Sequence, residues 1–325
     1  MGNQTESGEK PDGKRNYGCG MPFPDGLGSC KVLDLGCGTG RDAFVLSQLV
    51  GEHGIVVGVD MNEHQVAKAE EYLNYHMEKF GFSVLPNVKF KHGLLENLRD
   101  LNLKEKYFDV IVSNCVMNFC SDKRSLLSQS FNHLKVNGKF NRGGEMYLND
   151  IYASCPIPES LQEKLDLWGE CFSGALWWED LHALCDEIGF HPPLIKEVRP
   201  VFIEIEELKR RADPLPKDLR FASVTYRIFK PSNDDAAPKA AVYDGKLLNC
   251  FDAWEFAHDL VFETGVPRNI SKEYASILET SRFRTHFKFQ EVIDNGSTHE
   301  YTRTNPFDMI PDPYESLSGL VGYSI

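Results

Sequence analysis

Residues 33–42 read LDLGCGTGRD: an apolar run, then Gly36, Gly38 and Gly40, then the start of a helical pattern. Glycines at such a junction let the backbone turn sharply and come close to a ligand. A strand that enters this turn and leaves it as a helix is half of a crossover unit, and crossovers build parallel sheets. The alternation continues on both sides of the turn. CKVLDL (30–35) and GIVVGVD (54–60) read as buried strands, and GRDAFVLSQLV (40–50) and EHQVAKAEEYLNYHMEKF (63–80) as amphipathic helices. NVKFKHG (87–93), YFDVIVSNCV (107–116) and GGEMYLND (143–150) extend the strand series, with the helix KRSLLSQSFNHLK (123–135) between the last two. The expected class is α/β, a doubly wound and largely parallel sheet.

At 325 residues the chain is long enough for two or three units. Residues 1–16 are polar and read as a disordered N-terminus, 17–150 as the nucleotide-type domain, 151–230 as a substrate-binding segment and 241–325 as a small C-terminal appendage. EVRPVFIEIEE (197–207) and RFASVTYRIFK (220–230) read as two strands forming a hairpin-like edge, and 231–240 as a linker. A net charge of −13 argues against nucleic acid and anionic membranes as partners. No apolar run approaches a membrane span, and MGNQTESGEK lacks the core of a signal peptide, so a cytoplasmic, monomeric protein is expected. Nine cysteines, an odd number, point to reduced thiols rather than a disulfide framework.

The glycine spacing separates two ligand classes. A dinucleotide fingerprint G-x-G-x-x-G needs a small residue at position 41, where this chain has Arg41. The G-x-G-x-G form instead resembles the S-adenosylmethionine loop of class I methyltransferases, with their Rossmann-like sheet. Asp60, closing the second strand, is placed to accept hydrogen bonds from ribose hydroxyls. Asp34 is expected near the methionine end, where a carboxylate helps hold a cationic sulfonium. By resemblance to the class, Met61 flanks the adenine, Leu95 and Glu96 its far edge, and Asn114 the methionine part.

YGCG (17–20), SNCVMN (113–118), LWGECFSGALWW (167–178) and RFASVTYRIFK (220–230) together resemble the arsenite methyltransferases, from Tyr17 to Lys230. The resemblance implies transfer of methyl groups from S-adenosylmethionine to thiolate-bound trivalent arsenic, with glutathione or another thiol as reductant. It also implies that Cys19 and Cys171 hold the metalloid. Cys19 lies between Gly18 and Gly20 on a bare loop, as a thiol reaching for a small ligand should. Trivalent arsenic is soft and binds such thiolates strongly.

The chain also departs from the family. Leu219 stands where relatives carry a third metalloid-binding cysteine, the helical segment ahead of Tyr17 is missing, and the stretch around 136–141 is longer. Cys120, at the C-terminal edge of the sheet, is a candidate substitute ligand. Cys37 reads as a small loop residue, Cys115 as core, and Cys155, Cys185 and Cys250 as packing or surface thiols. Two other readings stay open: a class I methyltransferase acting on another small molecule, and a non-catalytic metalloid-binding relative.

Overall fold

The computed structural model describes residues 23–82, 85–136, 143–164, 167, 171–201, 215–216, 219–231, 236–294 and 296–310. An eight-stranded sheet runs in the order β3-β2-β1-β4-β5-β8-β7, with β6 paired to β5. Its strands are β1 (Lys31–Leu35), β2 (Ile55–Asp60), β3 (Val88–His92), β4 (Val110–Asn114), β5 (Glu145–Ala153), β6 (Leu176–Trp177), β7 (Leu194–Val201) and β8 (Phe221–Phe229). Strands β1 to β5 are parallel, while β8 runs antiparallel to both β5 and β7. The two late strands therefore form the expected antiparallel edge. The 1–16 tail, Cys19 and the 137–141 part of the long link lie outside the described residues.

The strand alternation divides the core in two. Leu33 and Leu35 of β1 join Val57, Val59 and Ile111 on one face, packed under helix α3 (Lys123–His133) and the helix Trp178–Ile188. Val32, Val56 and Val110 face the other way, under α1 (Arg41–Val50) and α2 (Glu63–Phe80). Helices on both faces are what a mostly parallel sheet requires. Asn62 caps α2 by accepting from the His64 and Gln65 amides at 3.1 and 3.3 Å. No described helix is long and apolar enough to cross a membrane.

Beyond β8, β9 (Lys239–Tyr243) is the centre of a three-stranded antiparallel sheet with β12 (Pro267–Ile270) and β13 (Phe287–Gln290). A hairpin, β10 (Ala253–Ala257) and β11 (Leu260–Glu263), and a helix, Lys272–Thr280, complete this part. Its aromatic core of Trp254, Phe256, Phe262, Phe283 and Phe287 also takes in Leu194 and Phe229 from the main sheet. A buried ion cluster ties the two parts together. Glu145 of β5 accepts from Arg227 Nε at 2.6 Å and from Arg282, whose Nη2 also donates to the Asp25 carbonyl at 2.8 Å. A wholly buried carboxylate is tolerable only when paired in this way.

Candidate active site

In a doubly wound sheet ligands bind beyond the carboxyl ends of the strands, where the strand order reverses. Here that point lies between β1 and β4, whose register sets Leu33 against Ile111 and Asp34 against Val112. The chain leaving β1 turns through Gly36, Gly38 and Gly40, all with positive φ (73, 54 and 84°). A Cβ on Gly36 would lie 2.2 Å from Val116 Cγ2, so only glycine lets the turn pass over the end of β4. A Cβ on Gly38 would meet nothing nearer than Gln65 Oε1 at 3.8 Å. Its φ of 54° is what calls for glycine there, and the open space beside it leaves room for a ligand. Cys37 is buried beneath the turn, where a Cβ on Gly58 would lie 2.8 Å from its sulfur.

Asp60 braces the loop. Its Oδ2 accepts from the Gly38 amide at 2.9 Å and its Oδ1 from the Asn62 amide at 2.8 Å. An ionised carboxylate has about four lone-pair sites, so capacity is left for hydroxyls. Met61, next along, is 62% exposed and its carbonyl meets His92 Nε2 at 3.0 Å. Leu95 opens a 3₁₀ turn, Leu95–Leu101, but its side chain is buried in the core with Val57 and Val59. Glu96 is half-buried, and its carbonyl accepts from Ser125 Oγ at 3.0 Å.

Asp34 is the least comfortable group in the site. It is 2% exposed and its Oδ2 has no hydrogen-bond partner among the described residues. Burial, with Asp42 and Asp60 adding repulsion, holds its carboxyl well above the usual range. A cationic ligand would relieve all three effects, so these residues fit a sulfonium cofactor bearing an ammonium group. Asn114, at the end of β4, donates to Asp42 Oδ2 at 2.9 Å and accepts from Asn149 Nδ2 at 3.2 Å. Asp42 also accepts from Arg41 Nε at 2.8 Å. Asp42 and Asn149 were not singled out in the sequence, although a carboxylate just inside the helix after the glycine turn was a visible signal.

The thiols fall into separate groups. Cys171 is wholly buried, has φ of 67°, and packs with Ala153, Leu219 and Phe221. Burial, with Asp150 nearby, pushes its thiol up. Asn118 docks it: the Asn118 Nδ2 donates to the Cys171 carbonyl at 3.2 Å and to the Ile151 carbonyl at 2.8 Å. A Cβ on Gly174 would lie 1.9 Å from the Asn118 carbonyl oxygen, which gives the glycine of the GAL stretch a physical reason. Leu219, 4% exposed, is a member of the cluster around Cys171. Cys120 packs elsewhere, with Leu95, Met117 and Trp178, and its thiol is pushed up to about 12 by burial and Glu96.

Asn118 and Asp150 are further residues that the sequence did not expose. Asp150 accepts from the Asn118 amide at 3.2 Å, and burial lifts its carboxyl to about 7 against opposing backbone hydrogen bonds from Ile151, Asn118 and Met117. Two expectations for the cysteines need correction. Cys115 is not a core strand residue: it follows β4 with φ of 54°, is half-buried and is disulfide-bonded. The remaining described cysteines, at 30, 37, 120, 155, 171, 185 and 250, are outside disulfides, so among the described residues the reduced-thiol expectation fails at Cys115. No group of three metal-binding side chains occurs among the described residues.

Known proteins supply the context for this geometry. Residues 28–189 match the family described as a methyltransferase domain, and residues 236–322 match the arsenite methyltransferase C-terminal domain. Mouse arsenite methyltransferase is 41% identical over 279 residues, covering 86% of this chain and 71% of that protein. The human enzyme is 39% identical over 303 residues, covering 93% and 78%. That of Aquipseudomonas alcaligenes is 40% identical over 280 residues, covering 85% and 77%. A crystal structure of an arsenic(III) S-adenosylmethionine methyltransferase from Chlamydomonas reinhardtii superposes with a TM-score of 0.76 at 34% identity, over 84% of this chain and 89% of that one. With the glycine turn, the sheet order and both halves of the chain matched, the protein belongs to the arsenite methyltransferase family of S-adenosylmethionine-dependent enzymes.

Proposed function

We propose that this chain transfers methyl groups from S-adenosylmethionine to thiolate-bound trivalent arsenic. The observation that carries the reading is the docking of Cys171 by Asn118, which fastens a buried thiol to the turn after β4, the strand next to the β1 from which the cofactor turn leaves. In the proposed site Asp60 takes the ribose, Met61, Leu95 and Glu96 surround the adenine, and Asp34 and Asn114 face the methionine end. Cys19 and Cys171 hold the arsenic, with glutathione or another small thiol completing its shell.

The raised thiol of Cys171 is no obstacle to capture. Arsenite enters as a neutral hydroxide, each thiol displaces one hydroxyl, and the thiol proton leaves with it as water. S-adenosylmethionine supplies an activated methyl group, so no general base is needed. The chain's residues have to hold arsenic and methyl carbon about 3–3.5 Å apart and in line. Transfer uses the arsenic lone pair and leaves the metalloid formally two electrons poorer, which is why a thiol reductant belongs to the cycle.

The test is incubation with arsenite, glutathione and methyl-labelled S-adenosylmethionine. Labelled methylarsenicals are the expected product. Cofactor binding without an arsenic product would overturn the reading in favour of another small-molecule acceptor. Changing Cys171 to serine should abolish arsenite binding and leave cofactor affinity intact.

A further inference from the structure

On the sheet face under α1 and α2 the core is apolar for most of its height, with Val110 and Val112 of β4 and Tyr147 of β5 inside it. Alternation brings Asn114, two positions after Val112, and Asn149, two after Tyr147, to the same face. The β4–β5 register sets these two asparagines side by side. On the far side of β5, Ser223 of β8 pairs with Ile151 and reaches Asn149 with its hydroxyl. At the carboxyl ends of the strands the apolar layer gives way to a polar row.

The hydrogen bonds of this row run in one direction. Ser223 Oγ donates to Asn149 Oδ1 at 3.3 Å, Asn149 Nδ2 to Asn114 Oδ1 at 3.2 Å, and Asn114 Nδ2 to Asp42 Oδ2 at 2.9 Å. The row ends on that carboxylate, at the start of α1, whose other oxygen accepts from Arg41 Nε at 2.8 Å. Asn149 and Ser223 are buried, whereas Asn114 is half-buried and keeps an accessible edge. Buried polar groups that satisfy one another add little net stability over apolar groups of the same shape, but they fix orientation. A flipped Asn114 would set its carbonyl against the Asp42 carboxylate and its amide nitrogen against that of Asn149.

We infer that Asn149 and Ser223 are positioning residues for the methionine end of S-adenosylmethionine, acting through the Asn114 amide that they orient. The inference rests on the reading of Asn114 as facing that end of the cofactor, and deepens it: the row, and not Asn114 alone, sets the direction of the amide. Adenine and ribose lie outside its reach, because Asp60 braces the turn from β2 through bonds of its own.

The test compares S-adenosylmethionine with 5′-methylthioadenosine, which has the same adenine, ribose and sulfur but no amino-acid portion. In calorimetry Asn149→Leu should weaken S-adenosylmethionine by about fivefold or more, the worth of one hydrogen bond, and leave 5′-methylthioadenosine within about twofold. Ser223→Ala, which removes a single oxygen, should show the same contrast at about two- to threefold. Asn114→Ala should lose S-adenosylmethionine selectively, and adding Asn149→Leu to it should cost little more, since the row acts through Asn114. Equal loss of both ligands in Asn149→Leu and Ser223→Ala, no loss of either, or fully additive losses in the double variant overturns the assignment and leaves the cofactor reading standing. Wild-type protein that binds neither ligand overturns the cofactor reading, and the assignment with it. Asn114→Ala that keeps wild-type affinity for both overturns the placement of Asn114 and the role of the row together.

Discussion

Gly174→Ala is the sharpest probe of how the Cys171 thiol is held. The new Cβ would sit 1.9 Å from the Asn118 carbonyl oxygen and 2.9 Å from its carbonyl carbon. Both are backbone atoms, so no side chain can swing away. Restoring ordinary contact requires the loop 171–175 and the turn Met117–Phe119 to part by about 1.4–1.7 Å, given carbon–oxygen contacts of about 3.3–3.6 Å. Asn118 resists that movement through its bonds to Asp150 at 3.2 Å and Ile151 at 2.8 Å, so the bond to the Cys171 carbonyl at 3.2 Å is the one that gives. Overpacking costs about 1–3 kcal/mol, and the lost hydrogen bond adds about 1 kcal/mol. A destabilisation of about 2–4 kcal/mol is expected. A displacement of about 1 Å at a reacting group costs on the order of a hundredfold in rate. The cofactor turn at 36–40 is untouched by this contact. Thermal melting, S-adenosylmethionine calorimetry and methylation kinetics together read the three effects. A variant with unaltered Tm and turnover would refute the argument. So would one whose cofactor affinity falls in step with its turnover.

Asp60→Ala removes the ribose acceptor and loosens the cofactor turn by two backbone hydrogen bonds, so calorimetry should show S-adenosylmethionine affinity falling by about 1.5–3 kcal/mol, the worth of a hydrogen bond to a charged group; NADH binding in preference would refute the cofactor assignment. Asp150, with its carboxyl lifted from 3.8 to about 7, makes a contribution to stability that is fully present below about pH 4 and lost as pH rises through about 7. The melting temperature of Asp150→Asn relative to wild type should therefore climb between those values, and a pH-independent difference would refute the burial argument. Leu219→Cys in the otherwise native chain should cost about 2 kcal/mol for lost buried methylenes. Thermal melting reads that loss, and an unaltered Tm would refute the packing of Leu219 against Cys171.

The parts of the fold that could be read from the sequence are those with a local signature. LDLGCGTGRD and GIVVGVD carry theirs because a strand buried on both faces must be apolar and a tight turn over a neighbouring strand must be glycine. β5 was harder. It runs on to Ala153 with Asn149 and Asp150 buried inside it, and polar residues in a strand read as its end. Their partners, Asn114 and Asn118, lie more than thirty residues away, beyond any periodic pattern. The two-residue β6 has no signature at all. Cys115 misled because positive φ in a residue other than glycine leaves no mark in composition. The Arg227–Glu145–Arg282 cluster was invisible for the same reason as Asp150: a buried charge is recognised only by its partner, and these partners come from three segments.

The charge on Asp34 links the cofactor to pH in a way that separates two modes of holding it. In the free protein its carboxyl is raised by burial and by Asp42 and Asp60, with one oxygen unpartnered. A cation placed opposite favours the ionised form, so binding expels a proton wherever the pH lies below the free value. Affinity then rises with pH by up to about tenfold per unit until that value is passed. S-adenosylmethionine carries both a sulfonium and an ammonium, whereas S-adenosylhomocysteine keeps only the ammonium. If Asp34 faces the sulfonium, the ratio of the two affinities should grow with pH, and Asp34→Asn should flatten it. If it faces the ammonium, both affinities should rise together and the ratio stay constant. Titrating both ligands from about pH 5 to about pH 8 in wild type and Asp34→Asn decides between them. Wild-type affinities that are flat for both ligands, or a pH dependence that survives in Asp34→Asn, would show that the buried carboxylate holds no cation. The orphaned oxygen would then be an unrelieved cost of the fold rather than a seat for the cofactor.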